Sequence, residues 1–340
     1  KTYPGIVLIG GTSVGEMSST MAFQEDSLTL MLFCSEEVSF TVGVGEKIHQ
    51  NEHIAAQKAI AQVTASHSAE DIKLCYVLGD GLKADGAAMV TGLRQAVGPT
   101  VPIVGGLTAD DWQLKHTYQF ISTPEATDVL QDSVVVLAFA GNLKVSYSVA
   151  NGQRPIGDKG IVTKSANKTL HEINQKPATH FYQSFCGTEV IGSTSGGAAW
   201  GSALAVYEPN TPDFYIRSPH SNNKADGSID YFGYVPEQAT VQLTECDNNS
   251  LLLATKAAFK NAQAAYPGTE PEAALMISCA SRMKALGTRV EEEYELVETF
   301  LGTTLPYMGF YSYGEISPFA GQSKAHFHNE TFTAILLGTR

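Results

Sequence analysis

The sequence predicts a mixed α/β (α+β) protein in which duplicated strand–helix–strand–hairpin units form two related mixed sheets flanked by helices. Three observations predict it. A seven-residue glycine pattern recurs along the chain. The segments before two of its copies repeat as a strand and then a helix. The composition is that of a protein with a large core: of 340 residues, 43% are hydrophobic and 17% are charged, which suits one large or two ordinary domains and lies far from disorder.

The first copy of the pattern, Gly10-Gly-Thr-Ser-Val-Gly-Glu16, follows Pro4-Gly-Ile-Val-Leu-Ile, an apolar strand rather than a signal peptide. Leu28–Phe33 reads as the next strand, and Glu52–Ala65 as a helix. Ile72–Leu78 is a strand, and Ala87–Val97 a helix with Met89, Leu93 and Val97 on one face. Pro102-Ile-Val then leads into the second copy, Gly105-Gly-Leu-Thr-Ala-Asp-Asp111, with a strand at Val134–Phe139 after it. A weaker copy, Gly192-Ser-Thr-Ser-Gly-Gly-Ala198, lacks the acid. Leu251–Ala265 is a helix, Ala273–Ser278 a strand, and Glu291–Leu301 a helix whose three opening glutamates suit the positive end of its dipole. Pro306-Tyr-Met introduces the third full copy, Gly309-Phe-Tyr-Ser-Tyr-Gly-Glu315, and Phe332–Leu337 closes the unit as a strand. Each strand–helix–strand step implies a locally parallel pair, so the first set of three strands is expected to match the second in order.

The net charge of −13 and the absence of basic stripes exclude nucleic-acid binding. No apolar run approaches the roughly 20 residues of a membrane helix. Five scattered cysteines without a C-x-x-C spacing fit neither a disulfide framework nor a structural zinc site, and the expected compartment is the cytoplasm.

In its motifs the chain resembles the FIST family. Gly11-Thr-Ser-Val-Gly-Glu16 is similar to that family's first glycine loop. Asp80-Gly-Leu82 and Val101–Asp111 resemble the centre of its N-terminal half. Ser278-Cys-Ala-Ser-Arg282, Gly314-Glu315-Ile-Ser-Pro318 and His328-Asn329-Glu-Thr331 resemble its C-terminal half. The resemblance implies an N-terminal half at residues 1–178, lacking an upstream strand and helix that relatives carry, and a C-terminal half at 179–340. It implies a bacterial intracellular sensor, not an enzyme. The subset it points to is the NosP-type nitric-oxide sensors, which bind haem and regulate a partner histidine kinase. A free amino acid is the alternative ligand.

Glycine loops at strand ends allow close backbone approach, and their acids can bond a ligand amine. Glu16, Asp110, Asp111 and Glu315 are therefore candidate ligand-binding residues, joined by Cys279 and Arg282. Cys279, Arg282, Glu315 and Asp110 are expected to border one pocket, with Arg282 and Glu315 on loops where alanine costs little folding. For a haem iron the candidate axial ligands are His180, among Phe181, Tyr182 and Phe185, then His116 and His328. His326 and His328, two apart on a strand, share a face and have a spacing that suits a metal. Two enzyme readings stay open. Gly11-Thr-Ser13-Val-Gly15 matches a nucleophile elbow but lacks the helix that motif requires. Cys279, with Arg282 nearby, matches a cysteine nucleophile served by His326 or His328. An interaction module without a ligand is the remaining class.

Overall fold

A computed structural model describes residues 5–124, 126–186 and 203–340. Strands β1 (Leu8–Gly11), β2 (Glu16–Ser18), β3 (Ala22–Gln24) and β4 (Val38–Glu46) lead to helix α1 (Glu52–Thr64). Then come β5 (Ile72–Gly79), α2 (Gly86–Val97), β6 (Ile103–Leu107), β7 (Gln119–Ser122), β8 (Thr127–Leu130) and β9 (Ser133–Gly141). β10 (Lys144–Ala150) is followed by β11 (Arg154–Ala166), β12 (Thr169–Ile173), β13 (Lys176–Pro177) and α3 (Ala178–Cys186). β14 (Leu204–Tyr207), β15 (Phe214–Arg217), β16 (Pro219–Asn222), β17 (Ile229–Tyr231) and β18 (Thr240–Glu245) continue the chain. It ends with α4 (Asn248–Ala265), β19 (Ala273–Cys279), α5 (Ala280–Leu286), α6 (Val290–Leu301), β20 (Tyr307–Ser312), β21 (Glu315–Pro318), β22 (Ala325–His328) and β23 (Phe332–Gly338).

Helices α1, α2 and α4 start where side chains satisfy the free amides of a first turn. Asn51 accepts from Ile54 N at 3.0 Å, Asp85 from Ala87 N at 2.9 Å, and Asp247 from Ser250 N at 2.7 Å. Each helix then buries one apolar face: Ala55, Ala59, Ile60 and Val63 on α1, and Leu251, Ala258, Phe259 and Ala262 on α4. In α6 the third opening acid serves a different purpose. Glu293 turns inward and pairs with Arg282 at 2.5 Å, both side chains fully buried.

The duplication is visible in the strand order. One sheet runs β4-β9-β5-β6-β21-β22 and the other β10-β23-β19-β20-β2-β3. In both, the central pair (β5 with β6, β19 with β20) is parallel and the flanking pairs are antiparallel. Alternate residues of β5 and β19 divide between two environments. Leu74, Tyr76 and Leu78 meet Leu275 and Ile277 in a core between the sheets, while Cys75 and Val77 face α1 and α2, and Met276 faces α4 and α6. The layers are therefore helix, sheet, sheet, helix.

The outer hairpins are exchanged. β21–β22, from the end of the chain, completes the sheet built on β5 and β6, and β2–β3, from its start, completes the sheet built on β19 and β20. A third sheet, β15-β14-β18-β11-β12-β17-β16, lies outside the duplicated unit, and its insertion between β10 and α4 has no counterpart between β4 and α1. β1, β7 and β8 form a small antiparallel sheet.

Leu28–Phe33 is not a strand. Met31 and Phe33 anchor the segment in the core between the sheets, while Leu28, Leu30 and Leu32 are exposed; the alternation is real, but no ladder partner lies alongside. Among the described residues no helix is long and apolar enough to cross a membrane.

Candidate functional site

Two of the glycine loops make the same local bond. The serine three residues before the acid donates to it, Ser13 Oγ to Glu16 and Ser312 Oγ to Glu315 Oε1 at 2.7 Å. Glu16 is part-exposed and also accepts from Ser27 Oγ. Ser13 is followed by strand β2 rather than by a helix, so the elbow geometry is absent there. The middle copy differs. Asp110 accepts from Leu114 N at 2.9 Å, Lys115 N at 2.6 Å, His116 N at 3.0 Å and Tyr313 OH at 2.9 Å. Those bonds hold its carboxyl below the ordinary value against the effect of burial. Asp110 thus shapes its own loop, and Asp111 is exposed with φ 53°.

Glu315 and Arg282 do not lie on exposed loops. Both are buried, which corrects the expectation that alanine there is cheap. Glu315 accepts from Thr331 N at 3.1 Å and Thr331 Oγ1 at 2.8 Å as well as from Ser312, and the Cys279 thiol bonds it too. Burial pushes its carboxyl up to about 7. Burial pushes the Cys279 thiol well up, with the Glu315 charge adding to it, so Cys279 is held as a thiol rather than as a nucleophilic thiolate. Arg282 Nη2 donates to Leu251 O at 2.9 Å, Thr255 Oγ1 at 2.8 Å and Glu293, and Nε donates to Ser278 Oγ at 3.3 Å. It joins α4, α5, α6 and β19. Of the four residues expected around one pocket, Cys279 and Glu315 touch. Arg282 borders a separate pocket of 240 Å³ with Glu330 and Cys246, and Asp110 is in neither group.

The candidate haem histidines fall in three settings. His180 is exposed on α3. Its sequence neighbours point away, Tyr182 and Phe181 into the third sheet's core and Phe185 to the surface, because consecutive helical residues diverge. His116 is exposed on the loop that Asp110 holds. His328 is buried with Nε2 bonded to Ser317 O at 2.9 Å. His326 lies 6.1 Å from it between ring centroids, and the described residues contain no cluster of three metal-binding side chains.

An open volume lies elsewhere. A cavity of 610 Å³ opens where α2, the exchanged hairpin and the third sheet meet. α2 and its cap contribute Asp85, Ala87, Ala88, Thr91 and Arg94; the hairpin contributes Lys324, His326 and Phe327; the third sheet contributes Tyr215 and Arg217, with Glu208 and Tyr234 from its loops. Tyr215 and Arg217 are two apart on β15 and so share a face. Arg217 is buried, its Cζ 4.3 Å from the Tyr215 ring centroid. Its Nε donates to Tyr234 O at 2.9 Å and Nη1 to Phe327 O at 2.8 Å and Ile216 O at 3.0 Å. Among the described residues Nη2 has no hydrogen-bond partner, and no carboxylate lies within ion-pair distance of the guanidinium. His326 stacks on Tyr215 at 5.7 Å, faces Glu208 through Nδ1 at 3.5 Å, and has an Nε2 that is buried without a partner. Burial, with Lys324, Arg94 and Arg217 nearby, lowers its pKa to about 3, so the ring is neutral. Ser165 Oγ, also in the lining, is a second buried atom without a partner.

Sequence reasoning nominated His326 only as a catalytic base or metal ligand and did not nominate Arg217. The available signal was an arginine at the end of Phe214-Tyr-Ile-Arg217, a charge closing an otherwise apolar strand.

A model of the FIST N domain matches residues 1–176, and one of the FIST C domain matches residues 169–318. The chain is 28% identical over 239 residues to uncharacterized proteins of two Mycobacterium tuberculosis strains, CDC 1551 and H37Rv, covering 67% of this chain and 59% of each relative. It is 31% identical over 83 residues to an uncharacterized protein of Methanocaldococcus jannaschii, covering 24% of this chain and 15% of that one. The chain thus spans less than two thirds of the length of the relatives it matches.

Proposed function

From the premise that this chain belongs to the FIST family, whose domains are sensory and bind small ligands, we propose that it is a sensor whose ligand occupies the 610 Å³ cavity. The observation that carries the reading is where the cavity lies. The wall from β22 belongs by sequence to the C-terminal region, the wall from α2 to the N-terminal region, and the wall from β15 to the third sheet. One bound molecule therefore touches three bodies, and any difference in affinity between two arrangements of them shifts their populations. Its volume lies in the range of small-molecule sites, roughly 300–1,000 Å³. A free amino acid is the first ligand class to try, and a signalling protein such as a histidine kinase is the partner that would read the change.

Haem is the second reading, with nitric oxide as the gas its iron would take. The residues that fit it are not the three histidines nominated above. His326 brings a neutral imidazole with an unpartnered Nε2 beside the rings of Tyr215 and Phe319, and Arg94 supplies a cation for a propionate.

Ala88→Trp, which places a large ring in the cavity wall, tests both readings. A ligand that raises the melting temperature of the wild type, screened among free amino acids and haem, should lose its effect in this variant while the unliganded melting temperature changes little. Retention of the full shift in Ala88→Trp overturns the cavity as the site. For haem, a Soret band that His326→Ala leaves unaltered overturns the second reading.

A further inference from the structure

The chain carries 35 acidic and 22 basic side chains, yet the cavity lining reverses that balance. Arg94, Arg217 and Lys324 stand against Asp85 and Glu208. Lys324 and Glu208 are paired with each other. What remains is Arg217 and Arg94 against Asp85, a surplus of one positive charge. Asp85 is partly committed, since its Oδ1 accepts from Ala87 N and Ala88 N at the start of α2. Asp85 acts on the Arg217 guanidinium from beyond ion-pair distance, and a guanidinium only 3% exposed with no direct carboxylate contact is an unusual thing to bury. Removing a charge from water is costly unless a counter-charge answers it. Carbonyl oxygens answer Nε and Nη1, and Nη2 is left over.

The second unanswered group is His326. Glu208 can only accept, so the carboxylate facing Nδ1 makes Nδ1 the protonated nitrogen and leaves Nε2 as a lone-pair acceptor. Nε2 is buried without a donor. A cation with no directly contacting anion and an acceptor lacking a donor thus pack against the same tyrosine ring, Arg217 at 4.3 Å and His326 at 5.7 Å from the Tyr215 centroid.

We propose that the ligand is a small molecule of net negative charge that bears a carboxylate and a hydroxyl or amino donor. The carboxylate takes Arg217 Nη2, and the donor takes His326 Nε2. This rests on the cavity being the ligand site and narrows what enters it. A neutral zwitterion leaves the surplus charge unanswered, and a neutral amide leaves Arg217 unpaired, so both bind more weakly.

Matched probes test this on the full chain by calorimetry. L-glutamate is compared with L-glutamine, which keeps the shape and removes the net charge. L-malate is compared with succinate, which keeps the charge and removes the donor. In the wild type the first member of each pair should bind at least about tenfold more tightly. Arg217→Gln should abolish the preference for glutamate over glutamine, and Arg217→Lys should keep the preference at lower affinity. Wild-type selectivity needs no variant to fold, so the proposal stays testable if Arg217→Gln does not. Equal binding within both pairs overturns the proposal, as does binding of neither glutamate nor malate. If Ala88→Trp abolishes binding of any probe while charge selectivity is absent, the cavity stands as the site and the carboxylate assignment fails. If selectivity is present but Ala88→Trp leaves it intact, the site lies elsewhere and both readings fail.

Discussion

Ser13 with Glu16 and Ser312 with Glu315 make one hydrogen bond in two surroundings. At the partly exposed copy water screens the carboxylate. At the buried copy Glu315 must be answered by Ser312, Thr331 and Cys279, and its pKa still rises to about 7. The folded chain therefore holds this proton more tightly than the unfolded one. The stability it contributes is fully present below the ordinary value of 4.5 and is lost as pH rises through about 7. His326 and His328, lowered to about 3, act in the opposite sense: their contribution is present above 6.5 and is lost as pH falls toward 3. Glu315→Gln isolates the first effect, because a neutral amide has no titration and changes hydrogen bonding only by a constant. The stability of Glu315→Gln relative to wild type should fall by roughly 3 kcal/mol as pH drops from about 7 to about 4.5. Urea unfolding across that range checks it, and a pH-independent difference refutes it.

Phe327 anchors the exchanged hairpin. Phe327 sits in a socket where glycines come close from three directions. An added Cβ would lie 2.5 Å from its ring at Gly86 on α2, 3.0 Å at Gly233 beside the third sheet, and 2.4 Å at Gly314 in the third glycine loop. Gly314 has an ordinary negative φ, so it is a glycine because of the ring and not because of its backbone. Gly314→Ala should destabilise the protein by about 1–3 kcal/mol, the usual result of overpacking a filled core. Phe327→Ala combined with Gly314→Ala should cost less than the sum of the two single changes, since the small side chain vacates the space the new methyl needs. Additivity in urea midpoints would remove Phe327 as the reason for the glycine.

At the scale of the molecule, the exchange of hairpins makes the two sheets depend on each other. The sheet built on β5 and β6 obtains its last two strands from residues 315–328, and the sheet built on β19 and β20 obtains its own from residues 16–24. Leu74, Tyr76 and Leu78 pack in the core between the sheets, against Leu275 and Ile277 of the opposing one. A fragment of residues 1–141 keeps an open β6 edge and an uncovered apolar face, both of which promote association. Expressed alone it should show no cooperative unfolding transition, and co-expression with residues 142–340 should restore one. A sharp transition from the isolated fragment would show that the exchange is dispensable.

Periodicity and local chemistry determined, without the structure, the four helices α1, α2, α4 and α6 and the strands of the central pairs. Asp85 before an apolar face and the run Ala273–Ser278 act over a few residues, so a sequence displays them. The repeated glycine loop carried the duplication and the family, because each copy lies next to the same kinds of segment. That the three strands around each parallel pair share one order in both sheets follows from it. The partner of each hairpin did not. Nothing local to Glu315 says which sheet its strand joins; it pairs with β6, and Phe327 packs beyond it against Gly86 and Gly233. Leu28–Phe33 has the alternation of a strand, but a ladder needs a neighbour and its place was decided by Met31 and Phe33. The candidate site divides in the same way. Chemical type pointed to Arg282, Glu315 and Cys279, and the fold buries all three. Arg217 and His326 are 109 positions apart in the chain, and what distinguishes them is a missing partner. That property belongs to a neighbourhood, and tertiary structure alone creates the neighbourhood.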